Sequence, residues 1–166
     1  RISSKIVKFC KHEVSVPLLH ITQLSLLHGT FSSRMKMAKV IPLHKKSSKD
    51  LIQNYRAISL ISSESKIIEK IILTRIFKHL QLNNLLSEKQ HGFIKGHSTL
   101  TAIVELFEYI VDNIENGNTL VGIQLDLSKA FDCLSHDMIL SKLFNVGIRD
   151  TVLSWFSAYL EGRQQV

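Results

Sequence analysis

Apolar residues change their spacing several times along this chain, and each change marks a predicted element. Residues 17–28 read as a short helix, with Pro17 suited to a first helical position and Gly29 suited to end it in a left-handed conformation. Residues 38–43 follow a strand pattern interrupted by Pro42, which predicts a sheet edge. A lysine-rich polar loop at 44–50 leads to a second strand pattern at 56–61, and together they predict a long basic hairpin. A serine-rich stretch at 62–65 then opens a helix. Ile67, Ile68, Ile71, Ile72, Ile76, Phe77 and Leu80 fall on one of its faces, and Asn83 and Asn84 mark its exit.

The turn-like segment 90–99 leads into another helix, for which Ser98 is a fitting N-cap. Ala102, Ile103, Leu106, Phe107, Ile110, Val111 and Ile114 form its apolar stripe, and Asn116, Gly117 and Asn118 end it. Residues 119–125 alternate as a strand does. Val121, Ile123 and Leu125 point one way; Leu120, Gly122, Gln124 and Asp126 point the other. Ser135 caps a predicted helix over 136–145 closed by Gly147. Asp150 caps the last, with Val152, Leu153, Phe156 and Leu160 inside and Trp155 and Tyr159 packed nearby. No repeat, low-complexity tract or flexible linker interrupts the order, which fits an α+β domain.

The 166 residues suffice for one domain with a real core, and 45% hydrophobic content excludes a disordered tail. Lys and Arg number 21 against 14 Asp and Glu, a net charge of +7. That balance suits an anionic partner such as nucleic acid or nucleotide, and equally a basic solvated surface. Cys10 and Cys133 alone make neither a disulfide framework nor a zinc site. His91 and His97 flank a glycine-rich turn without Cys or acidic partners nearby, so the histidines read as non-metal residues. No apolar run reaches the ~18 residues of a membrane span, and no signal peptide is visible. Starting at Arg1 and stopping at Val166, the chain reads as a piece of something longer.

Three clusters carry candidate chemistry. Asp126 ends an apolar strand pattern on its less apolar side, where a carboxylate can hold a hard cation such as magnesium. The same position suits a turn former or a cap. Phe131 comes soon enough after it to wall that site. Lys45, Lys46 and Lys49, with Arg56 beyond them, make a basic hairpin able to fold over a polyphosphate, Arg by a forked pair of donors and Lys as a point charge. A loop kept soluble by its lysines has the same composition. Gly92 and Gly96 let backbone approach a phosphodiester closely, and the helix starting near Ser98 offers backbone donors to phosphate. An ordinary turn with an N-cap reads the same way.

The blocks Lys39-Val-Ile-Pro-Leu-His-Lys-Lys46, Asn54-Tyr-Arg-Ala-Ile-Ser-Leu60, Lys66-Ile-Ile-Glu-Lys70, Gln90-His-Gly-Phe93, Gly96-His-Ser-Thr99 and Leu125-Asp-Leu-Ser-Lys-Ala-Phe-Asp132 occur in that order. In order and spacing they resemble the reverse transcriptase of non-LTR (LINE-type) retrotransposons, most like the jockey group. Tyr159-Leu-Glu-Gly-Arg-Gln-Gln-Val166 looks like the lead-in to that family's next block. Ala57 stands where the family usually has Pro, Ile94 where it usually has Arg, Met35 where it usually has Trp, and Gln124 where it has an apolar or small residue.

The resemblance implies an incomplete α+β right-hand polymerase fold. Residues 1–115 would be the fingers with a preceding N-terminal helix, and 116–166 the truncated start of the palm, with its first strand at 119–126. It implies that Asp126 is a magnesium ligand, one of the carboxylates for two Mg2+ ions (Mn2+ being an alternative), with the Leu127 carbonyl reaching the same ion. Phe131 would be the steric gate against a ribose 2′-hydroxyl. Arg56 with Lys45 or Lys46 would hold the incoming triphosphate, and Gly92, Phe93, Gly96 and Ser98 would help position the template. The implied partners are template RNA, a DNA primer, deoxynucleoside triphosphates and the rest of the polyprotein, in cytoplasm and nucleus and without a membrane. The paired aspartates of a later family block are absent here, so the chain alone is expected not to polymerise. The alternative reading is a noncatalytic nucleic-acid-binding remnant of a degenerate element.

Overall fold

The computed structural model describes residues 2–45, 47–127, 130 and 133–166. In chain order it forms α1 (Ser4–Phe9), α2 (Lys11–Leu27), β1 (Met37–His44), β2 (Tyr55–Leu60), α3 (Ser63–Leu82), α4 (Thr99–Glu115), α5 (His136–Asn145), α6 (Asp150–Leu160) and β3 (Gln164–Gln165). Packing divides the chain into two units, one of Arg1–Phe77 with Leu134–Val166 and one of Lys78–Cys133. Among the described residues no helix is long and apolar enough to cross a membrane.

The first unit holds the core. Phe31, Ile68, Ile72, Ile148, Trp155 and Phe156 form one buried cluster, with Leu26, Met35, Leu143 and Tyr159 packed against it. The helical face read from α3 supplies Ile68 and Ile72, four residues apart on one stripe. Trp155, only 1% exposed, sits at the centre. Its ring meets Phe31 edge-on at 5.4 Å, Phe156 edge-on at 5.2 Å and Tyr159 stacked at 5.3 Å. Its indole N–H donates to Ser25 Oγ at 2.8 Å, so the buried donor is satisfied. The sequence pattern put Val152 inside α6, yet Val152 is 41% exposed and the large aromatic occupies the interior instead. A Trp removes more apolar area from water than a Val at the same helical turn.

The helix predicted over 17–28 begins earlier, at Lys11, with Pro17 inside it. Proline removes one helical donor without preventing helix on either side. Downstream of it, Leu18, Thr22 and Leu26 recur every four residues toward the core, and burial of that face holds the helix together. Its far end is as predicted. Gly29 has φ +61°, its N–H reaches Leu26 O at 3.3 Å, and Thr30 N–H reaches Ser25 O at 3.0 Å, a Schellman closure. A Cβ on Gly29 would lie 3.0 Å from Thr151 O and 3.1 Å from Ser154 Cβ, so glycine also lets α6 approach.

The basic hairpin forms as predicted, with β1 and β2 antiparallel from Lys39↔Leu60 to His44↔Tyr55. β3 adds in parallel on the other side, Met37 and Ala38 against Gln164 and Gln165. β1 therefore has a neighbour on each side where β3 pairs with it, and Pro42 lies outside that stretch. Val40 N–H donates to Val166 O at 2.9 Å, and Val166 N–H donates to Ala38 O at 2.9 Å. Pro42 is the next residue on that side, and it has no N–H to give to a neighbouring strand.

In the second unit α3 ends as expected at the asparagines. Asn84 takes φ +51°, and Leu85 N–H reaches Leu80 O at 2.9 Å. Ser98 caps α4, its side chain accepting from Thr101 N–H at 3.2 Å. The stripe on α4 stays largely open: Ile103, Leu106, Phe107, Val111 and Ile114 are all exposed. The strand expected at 119–125 is not formed, and this segment carries no regular structure. Val121, Ile123 and Leu125 are 84%, 80% and 90% exposed. Alternation specifies two faces, but a strand also needs a neighbour for its N–H and C=O groups. Among the described residues no strand lies alongside this one.

Candidate functional site

On the first unit the candidate residues sit at the far end of the β1–β2 hairpin. Leu43 pairs with Arg56, and Lys45 N–H donates to Asn54 O at 2.8 Å, one ladder step further out. Residues facing each other across an antiparallel pair share a sheet face, as do alternate residues along one strand. Lys45 and Arg56 are thereby diagonal neighbours on one face, and both are exposed. The loop between them is tied down. Asn54 Nδ2 donates to Ser48 O at 2.7 Å, Tyr55 OH donates to Lys49 O at 3.0 Å, and the His44 and Tyr55 rings lie 5.2 Å apart. Lys46 lies outside the described residues.

The second unit carries the glycine-rich turn. Gly92, Phe93, Gly96 and Ser98 are exposed, and Phe93 and Gly96 have φ of +63° and +90°. A non-glycine residue there is strained unless its surroundings hold it. Sequence spacing showed no acidic partner for His91, but the fold supplies one. Glu105, two turns into α4, places Oε2 2.8 Å from His91 Nε2, and Thr101 Oγ1 lies 3.1 Å from His91 Nδ1. The Lys89 ammonium pairs with the other Glu105 oxygen. Lys89, then His91, hold the Glu105 carboxyl below its ordinary range, and Glu105 raises Lys89 in turn. Thr101 Oγ1 also accepts from Ser98 N–H at 2.9 Å, and Gln90 Nε2 donates to Gly92 O at 3.2 Å. One carboxylate on α4 thus ties the residues before the turn to the helix after it.

Asp126 and Leu127, also in the second unit, are exposed on the irregular segment. Phe131 lies outside the described residues. Among the described residues no three His, Cys, Asp or Glu side chains are grouped to hold a metal ion. One exposed carboxylate is too small a donor set for two hard cations, which take oxygen ligands from several groups. The described residues do not fit a two-metal centre by themselves.

The structure therefore gathers Lys45 with Arg56, and separately Gly92, Phe93, Gly96 and Ser98. Lys89, Thr101 and Glu105 were missed because no spacing rule links residues 10, 14 and 16 apart across a turn. A Glu two turns into a helix capped beside a glycine-rich loop was the available signal.

The family model described as reverse transcriptase (RNA-dependent DNA polymerase) matches residues 43–166. A probable RNA-directed DNA polymerase from transposon BS of Drosophila melanogaster is 29% identical over 78% of this chain and 15% of its own length. The RNA-directed DNA polymerase from mobile element jockey of the same species is 32% identical over 69% of this chain and 13% of its own length. A Pol polyprotein from type-1 retrotransposable element R2 of Popillia japonica is 25% identical over 85% of this chain and 19% of its own length. The chain thus spans less than a fifth of these relatives. With motifs in family order over a match that takes in the hairpin end, the glycine-rich turn and Asp126, the chain belongs to the reverse transcriptase (RNA-dependent DNA polymerase) family, of the non-LTR retrotransposon kind.

Proposed function

We propose that this chain is the nucleotide- and template-binding front of a retrotransposon RNA-directed DNA polymerase, with fingers over 1–115 and the start of the palm over 116–166. The observation that carries the reading is the family match over residues 43–166, with Lys45 and Arg56 exposed on one face of a pinned hairpin. Arg56 holds the triphosphate of an incoming deoxynucleotide by two donors, with Lys45 or Lys46 as a point charge. Gly92, Phe93, Gly96 and Ser98 guide the template RNA. Phe131 excludes the ribose 2′-hydroxyl. Asp126 and the Leu127 carbonyl contribute to a Mg2+ site whose remaining ligands lie in a longer polymerase. The segment 119–126 becomes a palm strand when a neighbour pairs with it; its alternation and its uncovered apolar side chains support this.

Titration of the 166-residue chain with a deoxynucleoside triphosphate tests the reading. Arg56→Ala is expected to lower affinity roughly tenfold, the scale of losing a charge-assisted hydrogen bond. Equal affinity in the variant and the parent would remove Arg56 from the site. Primer extension by the chain alone is expected to give no product.

The net charge of +7 favours a second reading, noncatalytic binding of RNA. Such binding would weaken steeply with salt and persist in Asp126→Asn. RNA affinity absent at low salt would exclude it.

A further inference from the structure

Two segments distant in sequence meet at one carboxylate oxygen in the first unit. Glu69 Oε1, on α3, accepts from Tyr159 OH on α6 at 2.9 Å and from Arg163 Nη2, just before β3, at 3.2 Å. Ser65 Oγ, one helical turn back, donates to it at 3.4 Å. Arg163 is held on three sides. Its Nε donates to Tyr159 O at 3.0 Å, and its guanidinium lies 4.0 Å from the Tyr159 ring centroid, in addition to the Glu69 bond. Burial, and then Glu69, push the Tyr159 phenol up to about 12, consistent with a shielded cluster.

The three residues after Arg163 give the cluster its use. Gln164, Gln165 and Val166 lie along β1, and Gln165 Nε2 reaches across to Ser59 Oγ on β2 at 3.1 Å. A two-residue parallel strand is weak alone. It is the short tie between the helical core and both strands of the hairpin, and Arg163 is its anchor.

We propose that Glu69 and Arg163 are positioning residues: by docking β3 on β1 they fix the angle at which the hairpin presents Lys45 and Arg56 to a nucleoside triphosphate. Neither residue touches the nucleotide; they act through β3. The proposal rests on the nucleotide reading of the hairpin.

The test uses the 166-residue chain with Glu69→Gln, Arg163→Lys and, on the hairpin itself, Arg56→Ala. Two readouts are taken: amide exchange at Val40 and Val166, and affinity for a deoxynucleoside triphosphate. Glu69→Gln is expected to speed exchange at both amides about tenfold and weaken the triphosphate several-fold, with Trp155 still buried by fluorescence. Arg163→Lys keeps the charge but loses the fork, and is expected to fall between parent and Glu69→Gln. Arg56→Ala is expected to weaken the triphosphate with exchange unchanged. Unaltered exchange in both clip variants overturns the proposal, as does faster exchange with undiminished affinity. A parent chain that binds no triphosphate overturns the nucleotide reading itself. That outcome is distinct, because exchange still reports whether the clip docks β3.

Discussion

Replacing Trp155 by Ala tests whether one residue holds the first unit together. Trp155 is 1% exposed, contacts three aromatic rings at 5.2–5.4 Å and donates one hydrogen bond, to Ser25. Large-to-Ala changes at such core positions cost about 3–5 kcal/mol. The lost indole bond counts for roughly 1 kcal/mol within that, since Ser25 Oγ is left near solvent. With a urea dependence of about 2 kcal/mol per M, the midpoint should fall by about 2 M. Net stabilities of domains run at about 5–15 kcal/mol, so the variant retains little margin. Because Trp155 is the single tryptophan, the variant's unfolding is followed by circular dichroism and the parent's by both signals. Trp155→Phe, which keeps an aromatic ring, should lose less than half as much. A midpoint shift below about 0.5 M for Trp155→Ala would refute the assignment of the core, because so small a value belongs to a surface position.

Other outcomes rest on single contacts. Gly29→Ala should destabilise by more than about 1 kcal/mol, from the left-handed backbone and the Thr151 carbonyl 3.0 Å from the new Cβ; thermal unfolding checks it, and an unchanged midpoint would count against the Gly29–α6 approach. Glu105, held low by Lys89 and His91, stabilises the turn above the ordinary carboxylate range and loses that contribution as pH falls through its lowered value. An NMR titration should place Glu105 below free glutamate, and an ordinary midpoint would dismiss its pairing with Lys89 and His91. Asp126→Asn should leave the stability of this chain within about 0.5 kcal/mol, the carboxylate being exposed, while abolishing primer extension in a polymerase of the relatives' length; retained extension would rule out its metal role.

Elements whose partners are close in sequence were legible. The hairpin, the Ser98 and Ser135 caps and the Gly29 and Gly147 closures are local arrangements among a few residues, and each appears where the pattern put it. The start of α2 was not legible because Pro17 offers a local reason to begin a helix there, and the helical residues before it, 11–16, carry no buried side chain that would mark them. The segment 119–125 failed in the opposite sense: its alternation is genuine, but pairing is not a local property. The basic pair was readable as composition and became a candidate site only through register, which puts Lys45 and Arg56 on one face. Glu105 and Glu69 were invisible as partners because their long-range contacts span 14 to 94 residues.

Pro42 carries a consequence for how this protein behaves in company. An unpaired row of backbone groups on a strand is the usual template on which a foreign strand adds and aggregation spreads. A strand growing along β1 from the β3 side meets, at Pro42, a residue with no hydrogen to give and a ring in the way. Pro42 thereby limits how far this hairpin can stick along that side to copies of itself.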